Sequence, residues 1–169
     1  SEMTDPVGFN IRYARSSNVG INATVNPDFS QIEADVAQIN YDPRRSLFFP
    51  EKRPFFLDGI ERFQTPTRLI YTRRIANPVA AGKIAGKFGA NTVGFISAAD
   101  NTGPSISEMD LSYVNALRLK RDLSDQNHMG MVFTDKSNKN RSNRVFAFDG
   151  RYVTKDIYSL RAQGGFSQT

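Results

Sequence analysis

Apolar and polar residues alternate along this chain in segments of about ten residues, and this period of two is the feature that most constrains its fold. Between Val7 and Tyr13 the odd-numbered residues are apolar and the even-numbered residues are small or polar. The alternation returns over residues 19–25, after the polar stretch 16–18. Because successive side chains of a β-strand point to opposite faces, the two segments predict a hairpin with one apolar face.

The same pattern continues through the second half of the chain. The alternating segments are 82–88, 93–95, 111–121 (where the alternation is imperfect), 129–133, 146–152 and 158–166. Polar loops at 122–127 and 136–143 separate some of them. We therefore predict an all-β chain of roughly eight antiparallel strands in an up-and-down meander, with almost no helix outside residues 28–63.

Residues 26–66 interrupt this pattern and contain five of the eight prolines and a dense group of phenylalanines. Ser30 and Glu33 fit a helix capping box, but residues 30–39 also alternate as a strand would, so helix and strand both stay open there. The predicted organisation is a first hairpin (7–25), a plug-like or periplasmic insertion rich in Pro and Phe (26–66) and a β-meander (67–169).

Composition removes several kinds of site. The chain has no cysteine, one histidine (His128) and a formal net charge of +5. Disulfides, zinc–thiolate sites and cysteine nucleophiles are therefore excluded, and a Ser-His-Asp triad would have to use His128. The chain also lacks a run of about 18 apolar residues, as a membrane-spanning helix requires. The alternating strands of a transmembrane β-barrel need no such continuous apolar run, so this kind of fold is not excluded.

Strands with one apolar face suit either a soluble β-sandwich or a transmembrane β-barrel. In the barrel the apolar face meets lipid and the polar face lines a wet lumen. The predicted polar faces carry charged residues in mid-strand: Arg12, Lys83, Lys87, Asp149, Arg151 and Arg161. The apolar faces are rich in Gly, Ala, Phe and Tyr. Both features favour the barrel, although the alternation alone leaves the sandwich open.

Two blocks carry a family resemblance: residues 26–35 (NPDFSQIEAD) and 47–59 (LFFPEKRPFFLDG). Together with residues 71–76, 82–89 and 117–122 they resemble an uncharacterised family of Gram-negative outer-membrane β-barrel proteins. Longer members of that family carry an N-terminal carbohydrate-binding module of the family 9 type. The resemblance implies that this chain is the N-terminal part of the barrel region, located in the outer membrane. It implies no catalytic residue.

The acidic residues Asp28, Glu33, Asp35 and Asp42 form a candidate site within the insertion. Their carboxylates suit a hard cation such as calcium, and a pair of them suits acid–base cleavage of a glycoside. The alternative is salt bridging with the basic residues of the same block, and this is the interpretation that we favour. We expect no cofactor, with calcium as the one possible exception.

Glu51, Lys52 and Arg53 form a charged tip between two prolines, next to Phe55 and Phe56. The aromatic rings can anchor the segment by burial or stack on sugar rings. The predicted ligand-binding residues are thus Asp28, Glu33, Asp35, Glu51, Lys52, Arg53, Phe55 and Phe56.

The expected function is binding or passage of a solute, without catalysis by this segment, and the resemblance implies that the solute is related to a glycan. The expected partners are outer-membrane lipid or lipopolysaccharide, a glycan and the remainder of the same barrel. Nucleic acid is not expected, because the basic loop 136–144 lacks interleaved aromatic residues. The alternatives are a soluble carbohydrate-binding β-domain and a carbohydrate-active hydrolase that uses carboxylates of the 28–42 block.

Overall fold

A computed structural model describes residues 8–16, 18–27, 50–103, 110–139, 141–155 and 157–169. Eight strands are found there: β1 (Phe9–Ser16), β2 (Val19–Val25), β3 (Pro78–Phe88), β4 (Asn91–Asn101), β5 (Leu111–Asp122), β6 (His128–Ser137), β7 (Ser142–Thr154) and β8 (Tyr158–Gln168). The helical elements are one α-helical turn, α1 (Pro54–Leu57), and two 3₁₀ turns, Ile60–Phe63 and Thr72–Arg74. Within these residues no helix is long and apolar enough to cross a membrane.

The strands form one antiparallel sheet in the order of the chain, β1 to β8. The predicted all-β meander with almost no helix is therefore confirmed. Among the described residues, β1 pairs only with β2 and β8 pairs only with β7, so the sheet is open. The turns after β1, β3, β5 and β7 are short and share one edge of the sheet, here called the short-turn edge. The connections after β2, β4 and β6 share the opposite edge, here called the long-loop edge after the long connections that follow β2 and β4.

The two faces of the sheet differ in polarity and in what covers them. The inner face is the one on which residues 50–75, here called the covering segment, pack. This segment contributes Phe56, Phe63 and Ile75 to a buried cluster with small or aliphatic inner-face residues: Ala81, Ala85, Ile96 and Ala98. The polar residues buried on the same face include Lys83 and Arg118.

The close fit of the covering segment depends on Gly94 of β4. A Cβ atom at this position would lie 2.8 Å from Cε1 of Phe63, closer than real carbon atoms approach. The glycine therefore provides the space into which the Phe63 ring packs. Phe56 of α1 and Ile75, directly after the second 3₁₀ turn, also pack on the inner face. The Phe55 and Phe56 rings meet edge to face with centroids 5.0 Å apart.

The outer face carries an apolar row that crosses all eight strands. Each member is the register partner of the next: Tyr13, Ile21, Ile84, Phe95, Leu117, Phe133, Phe146 and Phe166. Many outer-face side chains are strongly exposed, among them Leu160 at 66% and Phe166 at 69%. In this sheet charged side chains are thus buried on one face while large apolar side chains are exposed on the other.

Candidate functional site

Two of the three residues of the predicted charged tip, Glu51 and Arg53, have buried side chains. The side chains of Arg53 and Glu51 are 1% and 3% exposed. Arg53 Nε donates to Glu51 Oε1 and Arg53 Nη2 donates to Glu51 Oε2, and the donor–acceptor distance is 2.8 Å in both hydrogen bonds. Arg53 also donates through Nη1 to the carbonyl of Ile75 (2.6 Å) and through Nη2 to the carbonyl of Thr72 (3.0 Å). The guanidinium group thereby joins the two ends of the covering segment.

Glu51 is held in its ionised form by the same contacts. Burial of the Glu51 carboxyl raises its pKa, but hydrogen bonds from Arg53 and from Thr72 Oγ1 (2.6 Å) outweigh this, so that the pKa lies below its ordinary value. The Arg53 guanidinium also lies 4.2 Å from the centroid of the Phe56 ring, within the range of a cation–π contact. A carboxylate so fully engaged is suited to tethering, and nothing in its geometry marks it as a proton donor.

The structure brings some members of the predicted ligand-binding set together and leaves others undescribed. Glu51, Arg53 and Phe56 form one buried group, Phe55 packs beside it, and Lys52 is exposed. The remaining predicted residues, Asp28, Glu33 and Asp35, lie outside the described residues, as do Asp42 and the ambiguous stretch 30–39.

The calcium and hydrolase hypotheses therefore stay predictions, because both depend on those undescribed carboxylates. Within the part of the chain that the structure describes, no three His, Cys, Asp or Glu side chains come close enough to hold a metal ion.

Lys83 of β3 fixes the covering segment to the sheet, a role that alternation in the sequence does not indicate. Its ammonium group is buried and donates to the backbone carbonyls of Phe55 and Asp58, at the end of α1. The Asp58 carboxylate in turn accepts hydrogen bonds from Asn22 Nδ2 (2.7 Å) and Arg12 Nη2 (3.3 Å). Three neighbouring strands thus hold one turn of the covering segment.

A second buried ion pair spans three strands of the inner face. Arg118 of β5 makes a bidentate contact with Asp149 of β7, with Nη2 and Oδ2 2.8 Å apart. To reach it the guanidinium crosses Gly130 of β6, where a Cβ atom would lie 2.7 Å from Arg118 Cζ. The glycine in this strand therefore leaves the path of the arginine clear.

Next to residues 61–66 of the covering segment, part of the inner face is left uncovered. A cavity of about 570 Å³ opens there, near the short-turn edge. Its lining includes six basic side chains: Arg62, Lys87, Lys120, His128, Arg151 and Arg161. We call this space the cationic cavity. Sequence reasoning noted some of these residues as polar-face charges, but only the register of the strands places them together.

Comparison with known proteins assigns the chain to a family. Residues 1–92, more than half of its length, match the model of the family described as Domain of unknown function (DUF5916). The chain belongs to this family. The matched region of this DUF5916 chain includes β1, β2 and the covering segment. Neither a curated protein nor a solved structure matches the chain.

Proposed function

We propose that this DUF5916 chain is part of a transmembrane β-barrel of the Gram-negative outer membrane, whose polar inner face lines a solute pathway. The proposal rests on the inverted polarity of the sheet. Soluble monomers rarely expose a contiguous apolar surface larger than a few hundred Å². Here an unbroken apolar row crosses eight strands on the outer face, while the buried charges of Lys83 and Arg118 lie on the inner face.

Strand length supports the same proposal. The strands β3 to β8 have 10 to 13 residues each. A tilted transmembrane strand needs about 9–11 residues to cross the hydrocarbon core. The outer edges of β1 and β8, which pair with no described strand, would pair with further strands of the same barrel, since an edge in contact with lipid leaves backbone polar groups without hydrogen bonds.

The covering segment acts in this proposal as a structural plug on the inner face. Its buried charges, Glu51 and Arg53, are paired, and Phe56 and Phe63 are packed in the core, so we assign it positioning of the pathway and no catalysis. The solute is polar, and the resemblance to proteins with a carbohydrate-binding module favours a glycan. Glu51 gives no support to the hydrolase alternative, because its carboxylate is fully engaged by Arg53 and Thr72.

Single-cysteine labelling tests the membrane orientation directly, because the native chain has no cysteine. Cysteines at the outer positions Leu160 and Ala162 and at the inner positions Ser159 and Gln163 alternate along β8. In lipid vesicles we expect a membrane-impermeant maleimide to label the inner pair at least about tenfold faster than the outer pair.

The same four variants in detergent-free buffer provide the comparison for the soluble alternative. If the chain stays monomeric without detergent and all four cysteines react at similar rates, the sheet is solvated on both sides and the membrane proposal is wrong. Closure of the barrel is not needed for this test, because β8 presents both faces along its own length.

A further inference from the structure

We propose that the cationic cavity is a binding site for a small multivalent oxyanion, such as a polycarboxylate or a solute that carries phosphate or sulfate groups. This inference names the class of solute for the proposed pathway and in that respect rests on the proposed function. The binding site itself follows from the charges on the inner face, whether or not the solute passes through.

The charge balance of the cavity is strongly positive. Five fixed positive charges line it, from Arg62, Lys87, Lys120, Arg151 and Arg161. Of the described carboxylates, two are in contact with these side chains. Asp122 lies 2.7 Å from Lys87 Nζ and 3.1 Å from Lys120 Nζ, and Glu61 lies 3.5 Å from Arg62 Nε. Asp149, the other nearby acid, is taken up by Arg118.

The strand register places two of these positive charges directly opposite each other. Arg151 of β7 and Arg161 of β8 are register partners, and His128 of β6 is the partner of Arg151 on the other side. Directly opposed residues of like charge destabilise an antiparallel pair, since their Cβ atoms are only about 5 Å apart. Arg151 Nε is buried and has no hydrogen-bond partner among the described residues. A ligand with several anionic oxygens would relieve both conditions by accepting hydrogen bonds from the two guanidinium groups.

The shape of the cavity suits a solute rather than a flat surface contact. Its volume of about 570 Å³ lies within the range typical of small-molecule sites. Thr65 and Pro66 of the covering segment border the cavity on one side, and the sheet forms the other side. Gln163, the inner-face neighbour of Arg161 along β8, accepts a hydrogen bond from Thr67 N (2.6 Å) and so fixes this part of the covering segment next to the arginines.

The test measures citrate binding to the full chain by calorimetry in a neutral detergent that contains no anionic lipid. We expect binding that weakens at least about tenfold in Arg161→Gln, because a bidentate charge-assisted contact is lost. Lys139→Gln removes the same charge at the long-loop edge, outside the cavity, and should bind citrate like the parent. Equal weakening in both variants would mean that citrate responds only to net charge and would overturn the site.

Additional measurements distinguish a free solute from a lipid headgroup, and loss of binding from loss of folding. Arg161→Lys keeps the charge without the bidentate geometry and should fall between the parent and Arg161→Gln, which guards against loss of fold in the latter. Absence of citrate binding in the parent, with an effect of Arg161→Gln seen only on vesicles that contain phosphatidylglycerol, would assign the cavity to a lipid headgroup and overturn a solute site. Binding of citrate without citrate flux through vesicles would leave the site standing and count against the proposed passage.

Discussion

Replacing Glu51 by alanine is the sharpest test of how the covering segment is held. The substitution removes the acceptor of two hydrogen bonds from the Arg53 guanidinium, of one from Thr72 Oγ1, and of two from the backbone N–H groups of Arg53 (3.1 Å) and Lys52 (3.2 Å). Two backbone carbonyls still accept from the guanidinium. A positive charge that is 1% exposed then lacks its counter-ion, and breaking a buried pair in this way costs about 3–5 kcal/mol.

The cost falls on the packing of the covering segment more than on the strands, because both ends that Arg53 joins belong to that segment. Hydrogen exchange read by mass spectrometry on the full chain resolves the two regions. Since each 1.4 kcal/mol is about a factor of ten, a loss of about 3 kcal/mol speeds exchange of peptides within residues 50–75 by roughly a hundredfold. Peptides from β4 to β6 should change by less than about threefold.

Glu61→Ala is the matched control. Glu61 also neighbours an arginine in the covering segment, but its side chain is 62% exposed and lies 3.5 Å from Arg62 Nε. Exposed pairs contribute about 0–1 kcal/mol, so exchange should rise by no more than about fivefold. If Glu51→Ala and Glu61→Ala accelerate exchange equally, the buried pair does not hold the segment and the tether interpretation is wrong.

Three further predictions concern pH, membrane orientation and strand packing. Because the pKa of Glu51 is lowered in the folded protein, the ionised carboxylate stabilises the covering segment fully above its ordinary pKa of 4.5, and this stabilisation is lost as the pH falls through the folded-state pKa. Hydrogen exchange within residues 50–75 should therefore accelerate below about pH 4.5 in the parent, and much less in Glu51→Gln. Leu160→Arg should lower the stability of the vesicle-inserted protein by up to about 2–4 kcal/mol in urea titrations, whereas Gln163→Arg should cost under about 1.5 kcal/mol; equal costs would contradict a lipid-facing outer surface. Gly130→Ala should destabilise the sheet by about 1–3 kcal/mol in the same titration by displacing Arg118, and an unchanged midpoint would show that the guanidinium has another path.

The strands could be predicted from the sequence because the polarity of the two faces differs along nearly every strand. Residues 146–152, for example, alternate cleanly and lie within β7 (Ser142–Thr154). The segment predicted at 19–25 coincides with β2, but several other predicted segments are shorter than the strands, since the strand ends carry polar residues on both faces and resemble loops. Residues 136 and 137 were assigned to a loop for this reason, yet they pair with β5 and β7 as the end of β6.

The position of Arg53 could not be predicted in the same way. Glu51, Lys52 and Arg53 form a run of charged residues between two prolines, and the sequence does not indicate which of them is buried. What distinguishes Arg53 is a pair of backbone carbonyls, at Thr72 and Ile75, that lie about 20 residues further along the chain. Because every residue has a backbone carbonyl, the residue types at Thr72 and Ile75 do not indicate that their carbonyls accept hydrogen bonds from Arg53. The cationic cavity could not be predicted for a related reason, because its six basic residues come from five strands and the covering segment.

The arrangement of the inner face separates anchoring from binding. Over the centre of the sheet the covering segment and the inner face form an ordinary hydrophobic core, and the charges among them, Lys83 and Arg53, have acceptors within the protein. Towards the short-turn edge the covering segment leaves a cavity next to the sheet, which it still contacts through Thr67 and Gln163, and there the positive charges outnumber the carboxylates in contact with them. Loosening the anchor with Glu51→Ala and removing one of the five fixed charges of the cavity with Arg161→Gln should therefore act on different measurements. The first should speed exchange within residues 50–75 while citrate affinity changes less than it does in Arg161→Gln, and the second should weaken citrate binding with exchange at Arg53 unchanged. If either substitution moves both quantities to the same extent, anchor and cavity are one cooperative unit.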